Sequence, residues 1–327
     1  MKKLENSSVL VTGGAGFIGS NLVETLLKQN NEVVVLDNFS TGRMENLVPF
    51  VGDSRFRLLV GDIRNMEDCR KAVDGVDYVL HEAALGSVPR SVQDPVTSTA
   101  VNILGFVNML FAAQEAKVKR FVYAASSATY GDSSTLPKVE DQIGKPLSPY
   151  AVTKYADELF AGIFHDLYGI DTVGLSYFNV FGPRQDPEGA YASVIPKFVA
   201  SLMKHESPVI NGDGSYSRDF TYVDNVVQAN QLALLTDTPE TVNQIYNVAC
   251  GERTTLNELF DLIKADLTAY DPEIAKIEAI HGPTRAGDIP HSHASIEKAC
   301  RLLGYTPEYN VRQGLMLSIA WYHTTFE

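Results

Sequence analysis

Apolar runs of strand length alternate with amphipathic stretches through the first half of the chain: VLVT at 9–12, EVVVL at 32–36, FRLLVGD at 56–62, YVLHEAA at 78–84 and RFVYAAS at 120–126. Runs this apolar belong to strands covered on both faces, so the intervening stretches are expected as helices on both sides of a parallel sheet. The pattern predicts an α/β fold, a doubly wound parallel sheet of the Rossmann kind. After GLSYFNVFGP at 174–183 it breaks into shorter pieces rich in Gly, Pro and Asp, such as NGDGSYSRDFTYVDN at 211–225 and HGPTRAGDIPHS at 281–292. These predict a smaller C-terminal lobe. The expected division is a dinucleotide-binding domain over 1–178, to which later segments return, and a lobe formed mainly by 179–327.

Composition narrows the classes. With 327 residues, 45% of them hydrophobic, the chain fills a core of enzyme size. Its net charge of −13 argues against wrapping a nucleic acid, because no basic stretch stands out against it. Cys69, Cys250 and Cys300 are odd in number and far apart, which suggests neither a disulfide framework nor a metal site, and a reducing cytoplasm is expected. The apolar run near the N-terminus is too short for a signal-peptide core. No apolar span of membrane-crossing length stands out later, so no membrane partner is expected.

The first chemical signal is VLVTGGAGFIGSNLVETLL. Gly13, Gly16 and Gly19 recur every third residue between a strand and a helix carrying Phe17, Leu22 and Leu26. Such a turn lets the backbone approach a pyrophosphate at a helix N-terminus, although an ordinary glycine-rich βα turn can share the spacing. Asp37 supplies the second half of the fingerprint. It stands 18 residues past Gly19 at the end of the second predicted strand, where a carboxylate binds the adenosine ribose diol and repels a 2′-phosphate. NAD is therefore expected rather than NADP, with Arg43 as a point against. The candidate cofactor set extends to Ile18 and Asn38, to Asp62 and Ile63 at the adenine edge, and to Ala83 and Ala84, whose small side chains leave room for the ligand.

The second signal is YAASSATYGD, followed by LSPYAVTKYADE. Tyr150 and Lys154 are four residues apart on a helix begun by Ser148-Pro149 and share one face. A phenol titrates near ~10, but a neighbouring ammonium and a cationic nicotinamide favour its phenolate, which can take a proton from a substrate hydroxyl. Ser126, 24 residues upstream at the end of the fifth strand, is placed to hydrogen-bond the same oxygen, with Ser127 as a second donor. A YxxxK pair is also common on helices that do no chemistry. The order of fingerprint, strand-end serines and YxxxK is what hydride transfer at the C-terminal edge of such a sheet requires.

With these motifs the chain resembles the extended short-chain dehydrogenase/reductase family over essentially its whole length. Within that family it is similar to UDP-hexose 4-epimerases. More narrowly it is similar to the UDP-N-acetylglucosamine 4-epimerase type of O-antigen biosynthesis, through HEAALGSVPRSVQDP, SSATYGD, YFNVFGPRQDPEGAYASVIPKF, INGDGSYSRDFTYVDN and RAGDIPHS. The resemblance implies tightly held NAD regenerated in each turnover and a UDP-hexose substrate. It implies that Lys154 also bonds the nicotinamide ribose, that Tyr177 and Val180 line the nicotinamide site, and that Thr41, Gly42 and Asn102 lie at or around the cofactor. A UDP-sugar site is implied at Gly86, Ser87, Asn179, Ser193, Val194, Lys197, Val209, Asn211, Arg218, Arg285, Asp288 and Ser292, together with Ser126 and Tyr150. Arg218 and Arg285, in glycine-rich loops of an acidic protein, suit a diphosphate, and Ser292 stands where epimerases of plain hexoses carry a tyrosine beside C2. A homodimer through helices including 98–116 and 149–166 is a further implication.

Two departures matter. Glu82 occupies a position in HEAA that is more usually uncharged, and Ala128 replaces the last serine of a common triplet. Sugar-nucleotide 4,6-dehydratases carry Thr-Asp-Glu at the end of the fifth strand, where Ser126-Ser127-Ala128 supplies no acid, and no carboxylate and substrate-acid clamp of a UDP-glucuronate decarboxylase is identified. A net dehydrogenase and a non-enzymatic NAD-sensing scaffold remain as alternatives. The second has no use for a phenolate base.

Overall fold

The computed structural model describes residues 3–186, 193–284 and 289–326. Strand β1 (Ser8–Thr12) leads through the glycine turn into α1 (Phe17–Lys28), whose Leu22, Val23, Leu26 and Leu27 are buried on one face. There follow β2 (Glu32–Asp37), β3 (Phe56–Val60), α2 (Met66–Val73) and β4 (Tyr78–His81). Helices α3 (Val88–Gln93) and α4 (Pro95–Thr99) come next, and a π-helical turn over Ala100–Leu104 joins α4 to α5 (Gly105–Glu115). Strand β5 (Arg120–Ser126) precedes α6 (Pro149–Tyr168). Ser148 caps α6 by accepting a hydrogen bond from the Ala151 amide, Pro149 opens its first turn, and Gly169 closes it at φ +70°.

Beyond β6 (Thr172–Tyr177) and the short β7 (Val180–Phe181) the chain enters the lobe through α7 (Val194–Met203), β8 (Val209–Asn211), β9 (Ser217–Arg218) and β10 (Thr221–Tyr222). It returns to the sheet with α8 (Val223–Leu235) and β11 (Gln244–Val248). The lobe is completed by β12 (Thr254–Thr255), α9 (Leu256–Thr268), β13 (Ile280–Gly282) and, after α10 (Glu297–Leu303) has packed back on β11 and α8, by α11 (Val311–Phe326).

The main sheet is parallel throughout, in the order β11-β6-β5-β4-β1-β2-β3. Strand order reverses between β1 and β4, which opens a crevice above their C-terminal ends. One core, with Val9, Val11, Leu22 and Leu26 meeting Val226 and Ala229, packs α1 and α8 on one face. A second, with Leu10, Phe106, Met109, Phe121 and Phe164, packs α2, α5 and α6 on the other. A third core, around Ile195, Phe198, Leu259 and Ile263, belongs to the lobe. The sheet thus claims α8, β11 and α10 from beyond residue 178.

Two expectations differ from what is found. Strand β3 is not covered on both faces, because it is the sheet's edge, and its Val60 stays 73% exposed. The helical stretch Pro95–Glu115 is long and apolar enough to cross a membrane, with a mean hydropathy of 1.6. Scattered Ser, Thr and Asn hide that property in the sequence, although Glu115 is its only charge. Half of that apolar window lies inside the protein, where Phe106, Met109 and Leu110 pack against the sheet.

Candidate active site

A cavity of about 460 Å³ occupies the crevice, running from the glycine turn to the C-terminal ends of β5 and β6. At one end the glycine turn packs so closely on neighbouring backbone that side chains are excluded. Gly13 sits at φ +68°, and a Cβ there would lie 2.8 Å from the Ala83 nitrogen; a Cβ on Gly19 would lie 2.3 Å from the Gly13 oxygen. Helix α1 starts at Gly16 with no side chain capping it, so its first N–H groups remain available to an anion. This is a cradle for a pyrophosphate.

Asp37 stands next to it. Its Oδ2 accepts from the Ala15 amide at 2.9 Å and its Oδ1 from the Phe39 amide at 2.8 Å, so the carboxylate holds the glycine turn and faces the cavity with its remaining lone pairs. These bonds suit a second task as acceptor for a ribose diol. Arg43, the point against NAD in the sequence, is paired with Asp186 at 2.7 Å and does not line the cavity. The residues present therefore fit an unphosphorylated dinucleotide.

At the other end lie Ser126, Ser127, Tyr150, Lys154, Tyr177, Asn179 and Val180. Ser126 ends β5, and its Oγ accepts from the Ala128 amide at 3.2 Å. The backbone N–H of Tyr150 donates to Ser91 Oγ at 3.0 Å, which ties the start of α6 to α3. Lys154 is 3% exposed; its Nζ donates to the Ala124 carbonyl at 2.8 Å and to Asp157 Oδ2 at 3.3 Å. Burial works against the ammonium, but Asp157, Tyr150 and Glu82 outweigh it and raise Lys154 above its ordinary range. A lysine so held stays charged beside the phenol.

The remaining expected residues are placed as follows. Gly16, Phe17, Ile18, Asn38, Thr41, Gly42, Ile63, Ala83, Ala84 and Gly86 line the cavity. Asp62 does not: its carboxylate is taken by Arg64 at 2.7 Å and Asn38 at 2.9 Å, and the Arg64 hydrogen bond holds it well below the usual carboxylate range. Asn102 sits one layer behind the wall. Its Oδ1 accepts from the Leu85 amide at 2.8 Å while its Nδ2 donates to Thr153 Oγ1 at 3.0 Å, bracing the loop after β4 against α6. Ser87 caps α3 by accepting from the Arg90 amide.

Ser193, Val194, Lys197, Val209, Asn211, Arg218 and Ser292 are in the lobe and do not line this cavity. Among them, Ser292 donates its amide to the Ser217 carbonyl at 3.0 Å, which sets it beside the strand of Arg218. Arg285 and Asp288 lie outside the described residues. The sequence reading missed Ser40, Leu85 and Val101 in the wall, and the partners Ser91 and Asp157. Of these only Asp157 left a trace, three residues after Lys154 on the same helix face.

A parallel sheet with a dinucleotide cradle at its switch point and Ser126, Tyr150 and Lys154 at the far end of one cavity defines a Rossmann enzyme of the short-chain dehydrogenase/reductase type. The model of the NAD dependent epimerase/dehydratase family matches residues 9–249. A UDP-glucose 4-epimerase of Mycolicibacterium smegmatis is 35% identical over 315 residues, 96% of this chain and 97% of that protein. A solved UDP-N-acetylglucosamine 4-epimerase from Methanobrevibacter ruminantium M1, in complex with UDP-N-acetylmuramic acid, is 38% identical with a TM-score of 0.91 over 98% of this chain and 99% of that one. A UDP-glucose 4-epimerase of Thermus thermophilus, in complex with NAD, is 34% identical with a TM-score of 0.85 over 97% and 99%. The chain belongs to the NAD dependent epimerase/dehydratase family, and NAD is its cofactor.

Proposed function

We propose that this enzyme is a UDP-hexose 4-epimerase that interconverts UDP-N-acetylglucosamine and UDP-N-acetylgalactosamine, and that UDP-glucose and UDP-galactose share the site. The observation that carries the reading is the far end of the cavity, which a tyrosine and two serine hydroxyls line with no acid at the end of β5. Tyr150 takes the proton of the C4 hydroxyl on its phenolic oxygen, and Lys154, anchored between Ala124 and Asp157, keeps that oxygen's negative charge favourable. Ser126 and Ser127 donate to the C4 oxygen as it becomes a carbonyl. NAD, when bound, supplies the acceptor that takes the C4 hydride and gives it back. The lobe keeps hold of UDP while the 4-keto sugar turns, and Tyr150 then returns its proton to the oxygen of the inverted alcohol.

The N-acetyl preference is supported by Ser292, a small residue where the resembled family's plain hexose enzymes carry a tyrosine, and by the likeness to the Methanobrevibacter enzyme. A homodimer belongs to the same reading. Leu159, Ile163 and Leu167 recur at helical spacing on α6 and are exposed, as are Val96 and Leu104 on the neighbouring helical stretch. This apolar face suits a second copy.

The decisive assay gives purified enzyme each of the four UDP-sugars, deuterated at C4, without added cofactor. Equilibration of each sugar with its C4 epimer, with deuterium retained, is expected. A 4-keto-6-deoxy product would make it a dehydratase, and accumulation of reduced, deuterium-labelled cofactor in a parallel reaction supplied with NAD would make it a dehydrogenase.

A further inference from the structure

Glu82 is the residue of this cavity without a task so far. It follows His81 at the end of β4. The His81 ring is turned into the core against Phe106 and Phe121, with Nδ1 3.0 Å from Thr12 Oγ1. Glu82, one residue on, faces the cavity. Its Oε1 accepts a hydrogen bond from the Tyr177 hydroxyl at 2.7 Å, and Asn230 Nδ2 of α8 donates to that same hydroxyl at 2.9 Å. The carboxylate is thus fixed at the end of the cavity that holds Tyr150, Lys154 and Val180.

Among the described residues, the charged and titratable groups around it are these. From α6 come Tyr150 and Lys154, with Asp157 and Glu158 acting on that lysine's own helix; from β6 comes Tyr177; α8 offers the neutral Asn230 amide. His81 brings no charge, since burial and Lys154 pull it down to about 3. Burial pushes Glu82 up to about 7, against the opposing pull of the Tyr177 hydrogen bond and Lys154.

An anion at this place discriminates between two ligands of nearly equal shape. The oxidised nicotinamide ring carries a positive charge and the reduced ring carries none, so a fixed carboxylate beside it stabilises one and not the other. We propose that Glu82 sets the balance between the two redox forms of the cofactor on this enzyme: as a carboxylate it favours NAD⁺ over NADH, and its protonation removes the preference. Binding of NAD⁺ then releases the Glu82 proton to solvent, whereas NADH leaves it in place. The consequence for turnover is a keto sugar disfavoured relative to either alcohol, which limits its escape. The inference rests on the cofactor reading and not on the choice of sugar.

The test therefore uses cofactors alone. Holoenzyme is equilibrated with mixtures of NAD⁺ and NADH, and the bound ratio is read by nicotinamide fluorescence from about pH 6 to about pH 9. In a Tyr150→Phe background, which removes the other anion that a cationic ring would favour, the enzyme carrying Glu82 is expected to gain preference for NAD⁺ as pH rises and Glu82 ionises, reaching about tenfold more than the same background carrying Glu82→Gln, whose ratio stays flat. Glutamine keeps the acceptor for Tyr177 and the volume, so only the charge is lost. Tyr177→Phe should retain the preference with its midpoint moved to higher pH, because the bond that steadied the anion is gone. A flat ratio in the enzyme carrying Glu82, or a Glu82→Gln variant that keeps its profile, would overturn the proposal.

Discussion

The sheet and the lobe solve the same problem, satisfying buried backbone, by different means. In the sheet, strands of four to seven residues pair in continuous parallel register, so the ladder consumes the N–H and C=O groups and side chains at the strand ends are free to face the cavity. The lobe pairs pieces of two or three residues. Buried polar side chains substitute for missing rungs. Asp219 accepts from the amides of Cys250, Gly251 and Ala294, and Asn225, in the first turn of α8 where the chain leaves the lobe, accepts from those of Glu308 and Tyr309 while donating to the Tyr309 carbonyl. Polar residues at strand ends of the sheet are thus candidates for chemistry, whereas those of the lobe are first of all scaffold. Even SRDFTYVDN, which reads as a ligand motif, spends its Asp219 and Asn225 on backbone.

The largest effect tests the sheet side. Tyr150→Phe fills the same space without a proton acceptor, and epimerisation should fall by about 10²–10⁴ while NAD stays bound and the thermal midpoint is unchanged. Turnover near that of the wild type would remove Tyr150 from the role of base. On the lobe side the counterpart is Ser292→Tyr. Overpacking costs about 1–3 kcal/mol, and at about 1.4 kcal/mol per decade kcat/KM for the N-acetylated pair should drop severalfold to a hundredfold with the plain hexoses spared. Equal loss on all four sugars would mean a disturbed loop, since the Ser292 amide also bonds Ser217; no loss on the acetylated pair would show that Ser292 does not wall the C2 pocket.

Asp37→Ala comes next and qualifies the comparison, because Asp37 is a sheet residue with a lobe-like duty. It bonds two backbone amides as well as facing the cavity. Loss of a charged hydrogen-bond acceptor costs about 1.5–3 kcal/mol, so NAD affinity should fall by about tenfold or more and the advantage over NADP should narrow. Titration with both cofactors separates the two duties. A loss shared equally would assign Asp37 to holding the glycine turn alone.

The difference between the regions also explains what was legible. Five strands and the glycine turn of the cavity follow from apolar runs and glycine spacing, because local periodicity and backbone clearance leave direct marks on residue type. Thr41, Gly42, Gly86, Tyr177, Asn179 and Val180 of its wall come only with the family resemblance. The lobe's two-residue strands carry no periodicity to read. Asp62, just past the end of β3, binds a neighbour, Arg64, a partnership that residue type at a strand end does not announce. Asn102, expected at or around the cofactor, lies behind the cavity wall as a brace whose partners Leu85 and Thr153 stand 17 and 51 residues away in the chain. Long-range bracing of this kind has no local signature.

The smallest expected effect concerns the ion pair from Arg43, just after the cofactor-binding turn, to Asp186, at the entry to the lobe. In the sequence Arg43 competes with Asp37 as a determinant of cofactor choice, since an arginine beyond the second strand can bind a 2′-phosphate. The structure instead pairs it with Asp186 at 2.7 Å, with 50% and 37% of the two side chains exposed. Exposed pairs contribute about 0–1 kcal/mol because water already solvates both charges and salt screens them. Arg43→Ala should therefore shift the thermal midpoint by no more than a few degrees and leave the ratio of NAD to NADP affinity within about twofold of wild type. The residual NADP affinity is the sensitive readout: if it collapsed in this variant while NAD binding held, Arg43 would have to leave Asp186 and reach the ribose. Cofactor choice would then be shared between Asp37 and a residue that bridges to the lobe, and the two regions would not be as separate in function as they are in construction.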